Sequence, residues 1–250
     1  MNKLVSIITP SYNSSKFIEG CIDSVISQTF QNWEMIIVDD CSNDNSREII
    51  SDLSTKDDRL KFISLKKNIG AAAARNIAIR EAKGKYIAFL DSDDIWIKDK
   101  LEKQIAFMNE KDIAFSFTCY QPISEDGMEK YSVIKAPKKM TYHSYLKNTI
   151  IGCLTVIIDK EKTGDFQMPN IRSSHDMALW LLIMKRGFSA YGLDENLAYY
   201  RIVSNSNTSK KWKAAKEVWD VYRKVENLNI IFSLYNFIGY AYNAIKKRMS

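Results

Sequence analysis

Apolar positions in the first ninety residues fall into short runs separated by longer stretches patterned at helical spacing. Residues 4–9 form an apolar run closed by Pro10 and the turn formers Ser11, Asn13 and Ser14, which predicts a strand. Ile18, Ile22, Val25 and Ile26 then share one helical face. Met35-Ile36-Ile37-Val38 is a second strand-like run, followed by a polar turn at 42–46 and a short helix carrying Ile49, Ile50 and Leu53. Residues 60–65 alternate like a third strand. Lys66-Lys67-Asn68-Ile69-Gly70 then turns into an Ala-rich helix over 71–82, stopped at Gly84, and 86–90 is a fourth strand. This βαβαβαβ rhythm predicts an α/β fold with a parallel sheet wound with helices. Because such crossovers are right-handed, the strand ends bearing Pro10, Asp39, Gly70 and Asp91 open on the same edge.

The rhythm changes afterwards. The pattern predicts a helix over 96–108, a strand over 113–119, a turn at Glu125-Asp126-Gly127 and an irregular polar stretch to Met140. A strand over 150–158 follows, then a helix over 176–186 with Ser173 or Ser174 as its N-cap and Gly187 as its stop, and a last strand over 197–203. Residues 1–110 thus read as a nucleotide-binding half and 111–209 as an acceptor half, together one domain, with 210–250 a helical tail. The first residues run straight into a strand with no apolar segment and cleavage site, so a cytoplasmic location is expected.

Candidate chemistry concentrates on the shared strand edge. Asp39-Asp40 ends the second run and Asp91-Ser92-Asp93-Asp94 ends the fourth, so at least five carboxylates gather where open α/β sheets bind ligands. Their repulsion calls for a cation, and hard divalent cations are held by one or two carboxylates plus substrate phosphates. The pattern points to a metal-assisted phosphate or nucleotide site, against the alternative that these are turn and cap residues. Four scattered cysteines without a CxxC pair argue against a zinc ribbon or disulfide scaffold, and two histidines argue against a His-rich metal site. A dinucleotide oxidoreductase would need a Gly-rich turn after the first strand, and residues 10–15 contain no glycine.

Five motifs in order resemble those of the inverting nucleotide-sugar glycosyltransferases with the GT-A fold, the family 2 type, especially bacterial enzymes of surface-polysaccharide assembly. They are Thr9-Pro10-Ser11-Tyr12-Asn13, Val38-Asp39-Asp40-Cys41-Ser42, Asn68-Ile69-Gly70 with Ala74-Arg75-Asn76, Asp91-Ser92-Asp93-Asp94, and His175-Asp176 followed by Leu179-Trp180-Leu181. The resemblance implies a Rossmann-like, mostly parallel sheet flanked by helices. It also implies metal-dependent inverting transfer from a UDP-sugar to a hydroxyl of a glycan or lipid-linked saccharide. A non-catalytic nucleotide-sugar-binding subunit or sensor is the alternative.

In that resemblance Asp39 accepts the imide N–H of uracil, and Pro10 and Tyr12 wall the base. Asn68, Gly70 and Arg75 lie at the third strand's mouth. Gly70 gives close backbone approach, and Arg75 contacts phosphate or clamps a nearby aspartate. Asp93 is the direct ligand of a divalent cation, Mn²⁺ or Mg²⁺, with Asp91 near the ribose or a metal-bound water. Asp94 either contacts the transferred sugar or caps a helix. Asp176 is the general base, although an acid at a helix N-terminus is also stabilising on its own account. His175 departs from the Glu more usual before this Asp. Tyr200-Arg201 with Ser204, Ser206 and Ser209 resembles a segment that folds over the diphosphate, Arg201 pairing with phosphate charge.

Charge changes the picture only at the end of the chain. Residues 210–250 hold nine Lys/Arg against Glu217, Asp220 and Glu226, so the whole excess of +6 lies there. Between 228 and 245, Asn229, Ser233, Asn236 and Asn243 trace one narrow helical stripe and the other faces are apolar and aromatic. With Lys246-Lys247-Arg248 this predicts a helix held at an anionic membrane surface, peripherally at the inner face of the cell membrane. The alternative is that it packs on the catalytic domain or on a second copy in a homo-oligomer. No nucleic-acid reading motif accompanies the charge, so no nucleic acid is expected as a partner.

Overall fold

The computed structural model describes residues 3–171, 173–203 and 211–249. The first half follows the predicted rhythm: β1 (Val5–Ser11), α1 (Ile18–Ile26), β2 (Trp33–Asp39), α2 (Ser46–Ser54), β3 (Leu60–Ser64), α3 (Ala71–Glu81) and β4 (Tyr86–Phe89). These four strands are parallel, ordered β3-β2-β1-β4, with Ser11 beside Asp39 and Asp39 beside Ser64. Their carboxyl ends therefore form one mouth. β1 and β2 are buried at every position, as continuous apolar runs in a sheet covered on both faces should be.

Alternate residues of these strands feed two cores. Ile8, Ile36, Val38 and Phe89 pack beneath α3 and α7 (His175–Lys185), with Trp180 set edge-on against Phe89 at 5.3 Å. Ile7, Met35 and Ile37 face the opposite way, against Ile18 and Ile22 of α1 and Leu101 of α4 (Lys100–Glu110). The period of two along each strand sorts the side chains.

The second half completes a mixed sheet. β8 (Ile157–Asp159), which runs on into the short α6 (Lys160–Thr163), joins β4 antiparallel, then come β6 (Phe115–Ile123), β9 (Ala190–Arg201) and the two-residue β5 (Ile95–Trp96), while β7 (Lys139–Met140) pairs with β9. Three sequence expectations change here. The predicted strand over 150–158 shrinks to β8. Residues Cys153–Thr155 instead form a 3₁₀ turn, and the Thr155 carbonyl is taken by the Gln104 amide at 2.9 Å rather than by a ladder. The predicted helix over 96–108 starts later, because Ile95 and Trp96 pair with Tyr199 and Ala198. The last strand begins at Ala190, well before 197. Register shifts against Thr118, Cys119 and Gln121 break the alternation that would have revealed it.

The tail is α8 (Lys211–Asp220), a π-helical turn (Val221–Val225) and α9 (Ile230–Met249). It is anchored: Val218, Val221 and Tyr222 belong to the α3–α7 core, and the Tyr222 hydroxyl donates to the Leu146 carbonyl of α5 (Tyr142–Lys147). Glu226 accepts from the Tyr142 hydroxyl and pairs with Lys185 of α7 at 2.6 Å. No described helix is long and apolar enough to cross a membrane.

Candidate active site

The two acidic clusters meet different fates. Asp39 is fully buried. Its Oδ1 accepts the Ser42 amide at 3.0 Å and Arg47 Nε at 2.8 Å, and its Oδ2 accepts the Ser42 hydroxyl. Asp40 is also buried and receives the amides of Ile69 at 2.7 Å and Gly70 at 2.8 Å, one on each carboxylate oxygen, while the Asn68 amide donates to its carbonyl. Asp40 thus ties the loop after β2 to the loop after β3, while Asp39 holds its own loop and the start of α2 through Ser42 and Arg47. Gly70 has φ +90°, and a Cβ there would meet nothing within 4 Å. Glycine is needed for the backbone conformation, and the space above it is open. Pro10 lies buried in β1 opposite Val38, and Tyr12, just past the strand, is half exposed.

The second cluster follows β4 as a tight turn, with the Asp94 amide bonded to the Asp91 carbonyl at 3.0 Å. Asp94 is buried and its Oδ1 accepts the Arg201 amide at 2.9 Å, so it fixes the end of β9 rather than starting a helix. Arg201 donates Nε to the Asp93 carbonyl at 2.9 Å and Nη1 to the Glu125 carbonyl at 2.8 Å, and its guanidinium lies 5.1 Å from the Phe17 ring centre. It is therefore a brace for this turn as well as a cation beside it. An open cleft of about 770 Å³ lies alongside, lined by Lys16, Phe17, Glu125, Asp126 and Arg201 among others. Residues 204–209, with Ser204, Ser206 and Ser209, lie outside the described residues.

Asp93 differs from the rest. Among the described residues no other residue's hydrogen bond or ion pair ends on its carboxylate, and burial together with the charge of Asp91 pushes its pKa up to about 6. Burial, then Asp93 and Asp91, also raise Asp94 well above the carboxylate range. Excess negative charge with unfilled oxygen lone pairs fits a hard divalent cation. Among the described residues no set of three or more His, Cys, Asp or Glu could cage one. One or two carboxylates completed by substrate phosphates is the arrangement Mg²⁺-like ions favour.

Across the mouth, Arg75 on α3 reaches two ways. Nη2 pairs with Asp91 Oδ1, and Nη1 lies 2.5 Å from His175 Nε2 at the start of α7. Burial opposes its charge, yet the fields of Asp91, Cys153 and Asp176 hold its pKa above the ordinary value. Burial, then Arg75, lowers that of His175, so the ring is neutral and accepts from the guanidinium. Arg75 is thus a clamp on Asp91, the second of its two expected roles. Asp176 is the second residue of α7, in the first helical turn. Its N-cap, Ser174, sits in the left-handed region at φ 55° and makes no side-chain cap bond. Among the described residues no hydrogen bond or ion pair claims the Asp176 carboxylate, although it lies close enough to Arg75, Cys153 and Tyr145 to shift them.

The structure therefore gathers Asp91, Asp93, Asp94, Arg75, Arg201 and Asp176 around one mouth, and sets Asp39 and Asn68 into its supporting loops. Arg47 was missed by sequence reasoning. It sits in a helix that reads as a solvated amphipathic turn, and only the fold shows it reaching Asp39 and the Leu65 carbonyl. Asn76, beside Arg75, has a structural role that its place in the Ala74-Arg75-Asn76 motif does not announce. Its side chain exchanges two hydrogen bonds with the Met168 backbone and so ties α3 to the loop ahead of α7.

Residues 6–163 match the family model Glycosyl transferase family 2, a span that holds both acidic clusters and ends before α7. A glycosyltransferase named for teichuronic acid biosynthesis, TuaG of Bacillus subtilis, is 54% identical over 246 residues, covering 98% of each chain. The Escherichia coli UDP-Glc:alpha-D-GlcNAc-diphosphoundecaprenol beta-1,3-glucosyltransferase WfgD is 43% identical over 238 residues, 94% of this chain and 92% of that protein. Among solved structures, residues 1–349 of Staphylococcus aureus TarS in complex with UDP superpose with a TM-score of 0.71 at 22% identity, covering 96% of this chain and 70% of that fragment. The Pyrobaculum calidifontis mannosyltransferase PcManGT, in complex with GDP-Man and Mn²⁺, gives 0.72 at 16%, covering 98% of this chain and 71% of that one. The solved structures establish the fold as GT-A. The family match and the full-length similarity to TuaG and WfgD settle the rest: the chain belongs to glycosyltransferase family 2 and is a glycosyltransferase.

Proposed function

We propose that the chain transfers a sugar, with inversion, from a UDP-sugar to a hydroxyl of a lipid-linked saccharide during surface-polysaccharide assembly, using a divalent cation, Mn²⁺ or Mg²⁺. The observation that carries the reading is the pairing of two uncommitted carboxylates, Asp93 and Asp176, on elements linked by Arg75. The names of TarS in complex with UDP and of WfgD, which acts from UDP-Glc on a diphosphoundecaprenol-linked sugar, support the donor and acceptor classes.

In this reading Asp176 accepts the proton of the acceptor hydroxyl as its oxygen bonds to the anomeric carbon. The bond from that carbon to the UDP oxygen breaks, and its electron pair leaves with the diphosphate. One displacement inverts the centre through an oxocarbenium-like state and needs no protein nucleophile, as in single-displacement hydrolysis. Asp93, with Asp91, would hold the cation, which supplies Lewis-acid stabilisation of the leaving diphosphate. Arg75 neutralises Asp91 and fixes the start of α7, and so places Asp176 relative to the acidic turn. Arg201 holds the turn from below and adds positive charge at the cleft. Asp39 is expected at the uracil edge, since its Oδ2 takes only the Ser42 hydroxyl and keeps a lone pair for an imide N–H, while Ser42 and Arg47 fix its orientation through Oδ1. Tyr12 is the exposed ring available to the base. Asn68 and Gly70 keep the neighbouring loop open for the donor.

The test is a panel of nucleotide sugars offered with a lipid-diphosphate-linked acceptor, with and without chelator. Chelator-sensitive release of UDP together with an extended acceptor supports the reading. Transfer undiminished by chelator removes its metal-dependent part.

A further inference from the structure

The polar stripe of the tail helix α9 faces the protein: Ser233 and Asn236 are fully buried, and Asn243 donates to the Lys147 carbonyl of α5 at 3.0 Å. Gly239 lies so close to α5 that a Cβ would come within 3.0 Å of the Lys147 side chain. Phe232, Phe237 and Tyr240 flank that stripe and pack in part against the core, while a second set of apolar residues points outward. Ile231 is 78% exposed, Ile238 69%, Tyr242 67% and Ile245 60%, with Ile230 and Leu234 beside them. Spacings of three and four place these residues on one continuous face. Isolated exposed apolar residues are ordinary, but a contiguous row along a helix is the mark of an interaction surface.

Charge decides what covers it. Residues 230–249 contain no acidic side chain and end in Lys246, Lys247 and Arg248. The three acids of the tail are already engaged, Glu217 with Lys213, Asp220 with Lys216 and Lys224, and Glu226 with Lys185. The same face of a second copy, packed against it, would offer apolar surface but no counter-charge. The repeat from 231 to 245 is also just two heptads, short of the three or four that sustain a coiled coil. An anionic bilayer supplies both hydrocarbon and negative headgroups. The face from Ile230 to Ile245 is roughly 23 Å long at 1.5 Å per residue, suited to lying in the interfacial plane. Tyr235 and Tyr242 suit the headgroup level.

We propose that the outward face of α9, centred on Ile231, Leu234, Ile238 and Tyr242, docks the enzyme on an anionic membrane surface, to which the net positive charge of the tail draws it. This deepens the proposed lipid-linked acceptor and rests on it for its purpose, but its test involves no sugar transfer. Because α9 packs on α5 and α5 packs on α7, docking would set the membrane two helices away from Asp176.

The full-length protein, without donor or acceptor, is sedimented with phosphatidylglycerol-containing vesicles and with neutral phosphatidylcholine vesicles, at low and high salt. The same is done for Ile231→Glu/Ile238→Glu, two outward positions whose change leaves the buried stripe intact. Thermal unfolding checks that the variant is folded, and sedimentation velocity gives the oligomeric state of both proteins. Wild type should bind the anionic vesicles, less so at high salt, and the variant should bind at least about tenfold more weakly with an unchanged unfolding midpoint. Equal vesicle binding by both proteins overturns the proposal. So does a wild-type dimer that the double substitution converts to monomer without vesicle binding, which assigns the face to a second copy.

Discussion

Asp39-Asp40 and Asp91-Ser92-Asp93-Asp94 look alike in the sequence, each an acidic cluster at the end of an apolar strand, yet the fold uses them in opposite ways. The first is saturated: Ser42, Arg47 and the amides of Ile69 and Gly70 supply donors to all four carboxylate oxygens. The second is left in excess, with Asp94 spent on the Arg201 amide, Asp91 on Arg75, and Asp93 receiving no hydrogen bond from another described residue, its pKa raised by burial and by Asp91. A saturated cluster makes scaffold. An unsaturated one, buried enough for repulsion to matter, is where a cation and a phosphate are stabilising.

The sharpest way to break this contrast is Asp93→Asn, which keeps the shape and removes the charge. Transfer should fall by at least about 10³-fold with the fold intact, because the loss is of Lewis-acid stabilisation in the transition state. Full activity in a metal-titrated assay would show the two clusters to be equivalent. Asp176→Asn should lower kcat by roughly 10²-fold or more while donor affinity is kept, since a base acts on the acceptor's proton. A variant that is merely less stable and fully active would return Asp176 to a helix-terminus role.

Asp40→Ala should act on stability rather than chemistry. It strips two loop amides of their acceptor and should cost about 1–3 kcal/mol in denaturant unfolding, without abolishing metal dependence. The pH profile sharpens the contrast further. Asp93 holds its proton up to about pH 6, so cation-dependent donor binding should weaken as pH falls below that value. An Asp40→Ala background should leave this midpoint where it was. An effect away from both clusters is expected at Lys100, buried beneath Trp96 with its ammonium on the Gln104 side chain, its pKa brought down by burial to about 7. The folded state holds that proton less tightly than the unfolded one, so stability should rise with pH from about 7 toward 10.5. Lys100→Met should flatten that slope in thermal unfolding, and an unchanged slope would contradict the assignment.

The parallel half of the fold was legible because its strands are buried on both faces and its helices carry regular stripes, so pattern and burial agree. Ile7 and Ile8 already announce two cores. The second half was less legible for identifiable reasons. β9 carries Asp194 and Glu195 through a bulge that erases alternation, and the stretch before β8 has its Thr155 carbonyl taken by a side chain no periodicity could anticipate. In the site, residue types named the two clusters but could not tell saturated from open, because that depends on Arg47, Ser42 and Arg201, each distant in sequence or ordinary in type. The stripe on α9 was visible in the sequence. That its Ser and Asn side chains turn inward was not, since only the close approach of Gly239 and Asn243 to α5 decides the facing.

The most direct test of the account is calorimetric titration of UDP into wild type, Asp93→Asn and Asp40→Ala, each with Mn²⁺ and with chelator. The account predicts that cation strengthens UDP binding in wild type and in Asp40→Ala, and makes no difference in Asp93→Asn. Cation-strengthened binding that survives in Asp93→Asn and disappears in Asp40→Ala would contradict it, placing the cation at the cluster described here as scaffold.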